Sequence, residues 1–284
     1  MRQLGKMDYK LPNRVQNSNK STYGKVLNIA GSDYMPGAAY LSSVSALKIG
    51  CGYCFLATSD EARRAVAAQT QNIVFVPHSQ LNANISSADV VEIGCGIGTD
   101  KTAMNLLSAV VDNAYSDTTL IIDADGLNVL AENSMDVQYD FQNKNFKKLA
   151  FTPHPKEAAR LLNSSLEDVL SDVKAAAKNI TEKYNCITVL KTHSTYVYAP
   201  DGREYTNSTG NNAMAKAGSG DVLTGMIAGL AAQGMNLFES CCLGVYLHGL
   251  CGDLAKEKLT EYSVMAEDLI SFIPNAVKYH LKMD

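Results

Sequence analysis

Short apolar runs ending in glycine or polar residues alternate along this chain with helical stretches of ten or more residues, and no other feature constrains the fold as strongly. The first run, 25–31 (KVLNIAG), precedes a helical pattern from Gly37 to about Gly50; strand-like 53–58 (YCFLAT) precedes a helix from Asp60 to about Gln69. Strands are expected over 72–77, 88–94 and 118–123, with a helix over 101–111 between the last two. After a polar stretch from Glu132 to Lys147 come a strand at 149–152, helices from Pro155 and over 166–183, and a strand at 186–191. Strands this apolar must be covered on both faces, which predicts an α/β fold, a three-layer αβα sandwich around a mostly parallel central sheet. Two further runs, 195–200 and 203–207, flank Asp201-Gly202 and read as a hairpin. The last third reads as helices over 219–233, 237–257 and 266–273.

No linker or fixed-period repeat divides the 284 residues. The expected organisation is a polar N-terminal arm over 1–22 and one domain over 23–284, since α/β folds of this length often form a single unit. With 46% hydrophobic and 19% charged residues the chain is neither disordered nor a coiled coil. A net charge of −4 offers no basic stripe for nucleic acid, whereas a small anion can be held by backbone amides alone. Apolar stretches are interrupted within about a dozen positions, too short to cross a membrane. Seven cysteines and a polar segment after Met1 predict a cytoplasmic protein with reduced thiols. Cys51 and Cys54 form a C-x-x-C, but no second pair completes a zinc site, so core packing is the expected role, as for Cys241 and Cys242.

Ligands of parallel sheets gather at the carboxyl ends of strands. Those ends here are Gly31-Ser32-Asp33, the Gly94–Gly98 run, Asp123-Ala124-Asp125-Gly126, Thr152-Pro153-His154-Pro155 and Lys191-Thr192-His193-Ser194-Thr195. The strongest single signal follows them: Gly218-Ser219-Gly220-Asp221 opens an apolar, small-residue helix after a Gly- and Asn-containing loop. Glycines let amides turn to an anion, the helix dipole favours negative charge, and Asp221 in the first turn can also reach a ligand. The plainer alternative is that Ser219 or Asp221 only caps the helix. Neither a Walker A sequence nor a strong dinucleotide fingerprint is present. Lys191 with the hydroxyls after it suits phosphate; His154, between two prolines, is held in a narrow range of positions. Glu157 suits a helix cap, and His78, His248 and His280 read as packing or surface residues.

Six segments, NIAGSDYMPGAA, EIGCGIGTD, DADGLNVL, FTPHPKEAARLL, VLKTHSTYV and GNNAMAKAGSGDVLTGMIAGL, occur in the order found in NAD(P)H-hydrate dehydratases of the ribokinase-like fold, which the chain resembles over about 22–275. The resemblance implies a stand-alone enzyme that removes water from the S epimer of NADHX or NADPHX at the expense of ADP or ATP, with ADP the more expected. It also implies Mg²⁺ with the nucleotide, a separate NAD(P)HX epimerase as functional partner, and a homo-oligomer. Hydrate-binding positions fall on Ala39, Gly96, Gly98, His154 and Asp221. Nucleotide positions fall on Lys191, Thr192, His193, Ser194, Thr195, Asn211, Gly218, Ser219 and Gly220; no metal ligands are assigned. Asp221 carries over as the catalytic base. Two departures are visible: Thr192 where Gly often follows the Lys, and Asn212-Ala213 in place of Pro-Gly. The alternative is a ribokinase-like small-molecule kinase of the hydroxymethylpyrimidine or hydroxyethylthiazole type, which shares the anion loop and Asp; a non-catalytic nucleotide sensor is a further one.

Overall fold

The computed structural model describes residues 7–132 and 146–283. The first six positions of the arm, and 133–145 of the polar stretch between Glu132 and Lys147, lie outside the described residues. Nine strands form one sheet: β1 (Lys25–Ile29), β2 (Tyr53–Ala57), β3 (Val74–Phe75), β4 (Val90–Ile93), β5 (Thr119–Ile122), β6 (Leu149–Phe151), β7 (Ile187–Leu190), β8 (Tyr196–Tyr198) and β9 (Glu204–Thr206). Their spatial order is β3-β2-β1-β4-β5-β6-β7-β8-β9. Pairings from β3 to β7 are parallel, and β8 and β9 form the antiparallel hairpin expected around Asp201-Gly202. The chain steps outward through β2 and β3, then returns to the other side of β1 as β4. This reversal is the topological switch at which open α/β sheets place their ligands.

The helices are α1 (Pro36–Ile49), α2 (Asp60–Gln69), α3 (Leu81–Ser87), α4 (Lys101–Asn113), α5 (Ala124–Glu132), α6 (Pro155–Leu162), α7 (Leu166–Ser171), α8 (Val173–Tyr184), α9 (Ser219–Ala232), α10 (Leu237–Leu259) and α11 (Ala266–Leu281). Alternate strand residues feed two cores. Leu27, Ile29, Val91, Ile93, Leu120 and Ile122 pack with α4, α5, α6 and α8. Val26, Val90, Ile121 and Ala150 face α1, α9 and α10. The expected three layers are therefore present.

Glycine sets the spacing in the second helical layer. A Cβ on Gly225 would lie 2.0 Å from Ser42 O, and one on Gly229 would lie 2.5 Å from Ala46 O, so α9 meets α1 backbone to backbone. The small residues of α9 serve packing within the chain.

Three expectations change. The strand over 72–77 contracts to β3, and α3 was not anticipated. The helix over 166–183 breaks at Asp172, whose backbone leaves the helical region (φ −144°, ψ 85°) while its Oδ1 accepts from Ala175 N at 2.9 Å and starts α8 anew. The last helix runs through Pro274 to Leu281. Pro274 removes one backbone donor, but Ile270, Ile273 and Ala276 are buried on the same face and hold the helix together. The arm is docked: Met7 and Tyr9 pack on the cores, and Arg14 donates to Gly50 O and to Gln233 Oε1. All seven cysteines are free and buried, and burial pushes the Cys51 thiol up to about 12. Among the described residues no helix is long and apolar enough to cross a membrane.

Candidate active site

A cavity of about 740 Å³ opens at the carboxyl ends of β5, β6 and β7, beneath the start of α9. It brings together Asp123, His154, Lys191, Thr192, His193, Thr195, Asn211, Gly218, Ser219, Gly220 and Asp221. Gly218 is in the left-handed region (φ 90°), which turns the chain into α9 without strain, and no side chain caps the helix. Ser219 Oγ faces His248 Nε2 at 3.4 Å. Of the opening amides, Ser219 N ties back to Lys216 O at 3.3 Å, a long bond. The dipole end of α9 is thus open to the cavity, as anion binding requires.

Lys191 reaches this end from β7. Its Nζ donates to Asp123 Oδ1 at 2.6 Å, with Asp123 only 1% exposed. Asp123 Oδ2 accepts from Thr224 Oγ1 at 2.6 Å, and Ala124 N donates to Oδ1 at 2.8 Å. Burial works against the ammonium, but Asp123 and then Glu157 outweigh it and Lys191 stays charged, its pKa raised. A Cβ on Gly220 would come within 3.3 Å of Nζ, so glycine here leaves room for the cation beside the helix start.

Asp221 differs from Asp123. Burial, then the neighbouring Asp123 charge, push its carboxyl up to about 6; hydrogen bonding from the Cys95 thiol and the Lys191 charge pull the other way. A carboxylate so placed is ionised near neutral pH yet basic enough to take a proton. Elsewhere in the cavity lining, burial pushes Glu157 up to about 7 and lowers the pKa of His154. His154 is an N-cap: its Nδ1 accepts from Lys156 N and Glu157 N, both at 3.1 Å, while Glu157 Oε2 accepts from His154 N at 2.7 Å. The neutral ring therefore carries its proton on Nε2.

The substrate-side positions divide differently. Gly96 (φ 68°) and Gly98 (φ 78°) form a second wall at the β1/β4 switch. A Cβ on Gly96 would meet Ala38 at 2.8 Å, and Gly98 N donates to Asp125 Oδ2 at 2.9 Å. Ala39 is fully buried under this wall, so its side chain is out of a ligand's reach. Ala39, Gly96, Gly98 and Ser194 lie outside the cavity lining; Ser194 instead closes a turn by accepting from Thr192 Oγ1 at 2.9 Å. The Thr192 departure thus brings its own support. So does Asn212-Ala213: Asn211 Oδ1 accepts from Ala213 N at 2.9 Å, and Lys256 donates to Asn212 Oδ1 at 3.0 Å.

Sequence reasoning missed Asn207, Thr209 and His248, which also line the cavity. His248 Nε2 lies 3.4 Å from Ser219 Oγ, and burial lowers its pKa to about 4, so it is neutral. It lies on an apolar helix, and only the tertiary fold distinguishes that setting from ordinary packing. Asp123 was legible as a polar strand end, but its pairing with Lys191 was not. No group of three or more metal-ligating side chains occurs among the described residues.

The chain is similar to known proteins over most of its length. The family model for NAD(P)H-hydrate dehydratase matches residues 26–275. The ADP-dependent (S)-NAD(P)H-hydrate dehydratase of Neisseria meningitidis is 37% identical over 86% of this chain and 81% of its own. The bifunctional NAD(P)H-hydrate repair enzyme of Moorella thermoacetica is 34% identical over 94% of this chain, which spans 52% of that relative's length. Two solved structures superpose closely. A ribokinase-like superfamily protein from Enterococcus faecalis has a TM-score of 0.85 at 29% identity, covering 95% of this chain and 92% of the other. The ADP/ATP-dependent NAD(P)H-hydrate dehydratase of Bacillus subtilis, co-crystallised with ATP/Mg²⁺, has a TM-score of 0.83 at 28% identity, covering 95% and 94%. With the family model matching residues 26–275, the chain belongs to the NAD(P)H-hydrate dehydratase family.

Proposed function

We propose that this protein dehydrates (S)-NADHX and (S)-NADPHX to NADH and NADPH at the expense of ADP or ATP. The observation that carries the reading is the uncapped start of α9, with Asp221 held as a poised base beside an open anion site and the Lys191 ammonium. Water is a poor leaving group, so the ring hydroxyl must first be converted to a better one. Asp221 takes the hydroxyl proton as the oxygen attacks the terminal phosphoryl group. The amides from Ala217 to Gly220, with Lys191 held by Asp123, stabilise the charge on the transferring group. Loss of phosphate and a ring proton then restores the dihydropyridine.

In this reading Lys191, Thr192, His193, Ser194, Thr195, Asn211, Gly218, Ser219 and Gly220 serve the nucleotide. Gly96, Gly98 and His154 border the hydrate, and Ala39 shapes that wall from beneath. The donor set fits Mg²⁺ only as an ion carried by nucleotide phosphates and water, because it has no cage of its own; no step here depends on it. A separate epimerase supplies the S epimer, and we place the reaction in the cytoplasm, in a homo-oligomer.

The test is incubation with NADHX and ADP or ATP in parallel, following dihydropyridine absorbance and nucleotide products. Restored absorbance with a nucleotide one phosphate shorter is expected. Accumulation of a stable phosphorylated alcohol would instead establish the small-molecule kinase reading.

A further inference from the structure

Beneath Asp221 the sheet carries another buried carboxyl, which the proposed chemistry leaves unused. Glu92 lies on β4 with no exposed surface. Its Oε1 accepts from the Cys95 thiol at 3.8 Å, and its Oε2 has no partner. The groups that face it are Asp123, Asp221, Cys95, Cys51 and Cys54, none of them a cation. An ionised carboxylate in that setting costs far more than a protonated one. Burial, with the charges of Asp123 and Asp221, accordingly raises its pKa well above the usual carboxylate range.

A second orphan lies on the adjacent strand. Asn28 Oδ1 is buried without a partner, and Asn28 and Glu92 are direct partners in the parallel register of β1 and β4. Their side chains therefore leave the same face of the sheet, one strand spacing of about 4.8 Å apart. Turning the Asn28 amide round would set its oxygen 2.7 Å from Ser42 Oγ, whose proton goes to Ala38 O. Nδ2 donates to Ser42 Oγ at 2.7 Å and Ser43 Oγ at 2.8 Å, and the Ser42 hydroxyl proton is committed to Ala38 O at 2.8 Å. Two acceptors thus lie side by side, and one proton on Glu92 Oε2 satisfies both.

We propose that Glu92 is a positioning residue for Asp221: held as the neutral acid, it donates to Asn28 Oδ1 and accepts from the Cys95 thiol, whose single proton is thereby shared between Glu92 and Asp221. The polar chain runs from the first turn of α1 through Asn28, Glu92 and Cys95 to the base on α9. It rests on the reading of Asp221 as base for its catalytic meaning, but not for its chemistry. Asp221 is also faced by Asp123, Lys191 and Asp125, and these stay in place when Glu92 is changed.

The experiment uses the full chain without nucleotide. Difference infrared spectra at neutral pH should contain the C=O stretch of a protonated carboxyl that disappears in Glu92→Gln; its absence overturns the proposal. Side-chain carbon NMR of Asp221 should titrate near 6 in the parent protein. Glu92→Gln, which keeps a donor and an acceptor, leaves that midpoint in place. Glu92→Leu frees the thiol for Asp221 and lowers the midpoint by roughly one pH unit, whereas Cys95→Ala raises it by a similar amount. A fall in Glu92→Gln means that a charge was removed, and unchanged midpoints in Cys95→Ala mean that no thiol link exists; either result overturns the proposal. If Glu92→Leu does not fold, the infrared band and Cys95→Ala still decide. Should the parent protein fail to dehydrate NADHX, the proposed function falls while these titrations keep their meaning; if it succeeds, the acid limb of its pH–rate profile should move with the NMR midpoints.

Discussion

Two aspartates reach the same crevice from opposite directions, and their surroundings assign them different work. Asp123, at the end of β5, has its oxygens taken by Lys191, Thr224 and its neighbour's amide. Asp221, at the start of α9, has a thiol as its hydrogen-bonding partner and a repelling charge beside it. One carboxylate is fixed as the counter-ion that keeps a buried ammonium in place; the other is left with proton affinity to spare. Residue type does not separate base from scaffold here; hydrogen-bond saturation does.

The strongest way to break this contrast is Asp221→Asn. It should reduce NADHX turnover by a factor of about 10² to 10⁴ with nucleotide affinity nearly unchanged, measured by steady-state kinetics and calorimetry. Near-parental turnover would falsify the assignment of the base. The same variant should be the more stable protein at neutral pH. The folded carboxyl titrates near 6 against an ordinary 3.8, so its stabilising contribution is complete below about pH 4 and lost as pH rises through 6. Removing the charge recovers on the order of 2 kcal/mol at pH 7 and nothing at pH 3.5, which paired thermal melts would reveal.

Asp123→Ala attacks the other half. With Lys191 left buried and unpaired, a loss of about 3 kcal/mol in stability is expected, together with weaker nucleotide binding. A protein that melts normally would show that the pair is dispensable. Gly220→Ala should be milder. The added methyl displaces an ammonium already tethered to Asp123, and the nucleotide KM should rise about tenfold while kcat changes less. The smallest effect is expected from His154→Ala, which removes a helix cap worth about 1 kcal/mol. A hydrate KM that rises in the same variant would show that the ring also touches substrate.

Local chemistry was readable in the sequence because its causes are local. Gly218 to Asp221 could be recognised since a left-handed glycine and a first-turn acid act within four residues, and the parallel sheet followed from apolar runs of strand length. What escaped depends on distance along the chain. Asp123 meets residues 68 and 101 positions away, and no spacing rule connects them. His248 resembled a packing residue because it lies in the buried run from Ser240 to Gly252 of its helix; its cavity exists only once α10 passes the anion loop. The run through Pro274 was misread for a related reason, since burial of a helix face outweighed the local cost of one missing donor.

The backbone contact between α1 and α9 has a mechanical consequence. Gly225 sits against Ser42 and Gly229 against Ala46 and Ile49, so the two helices run in the same direction and begin at the same end of the molecule. One start carries the loop after β1, the other the anion loop. Clamped along their lengths, they hold the loop after β1 and the anion loop at a separation fixed by the core. Substitutions well below the crevice, at Gly225 or Gly229, should therefore alter which molecules fit before they alter how fast a fitted molecule reacts.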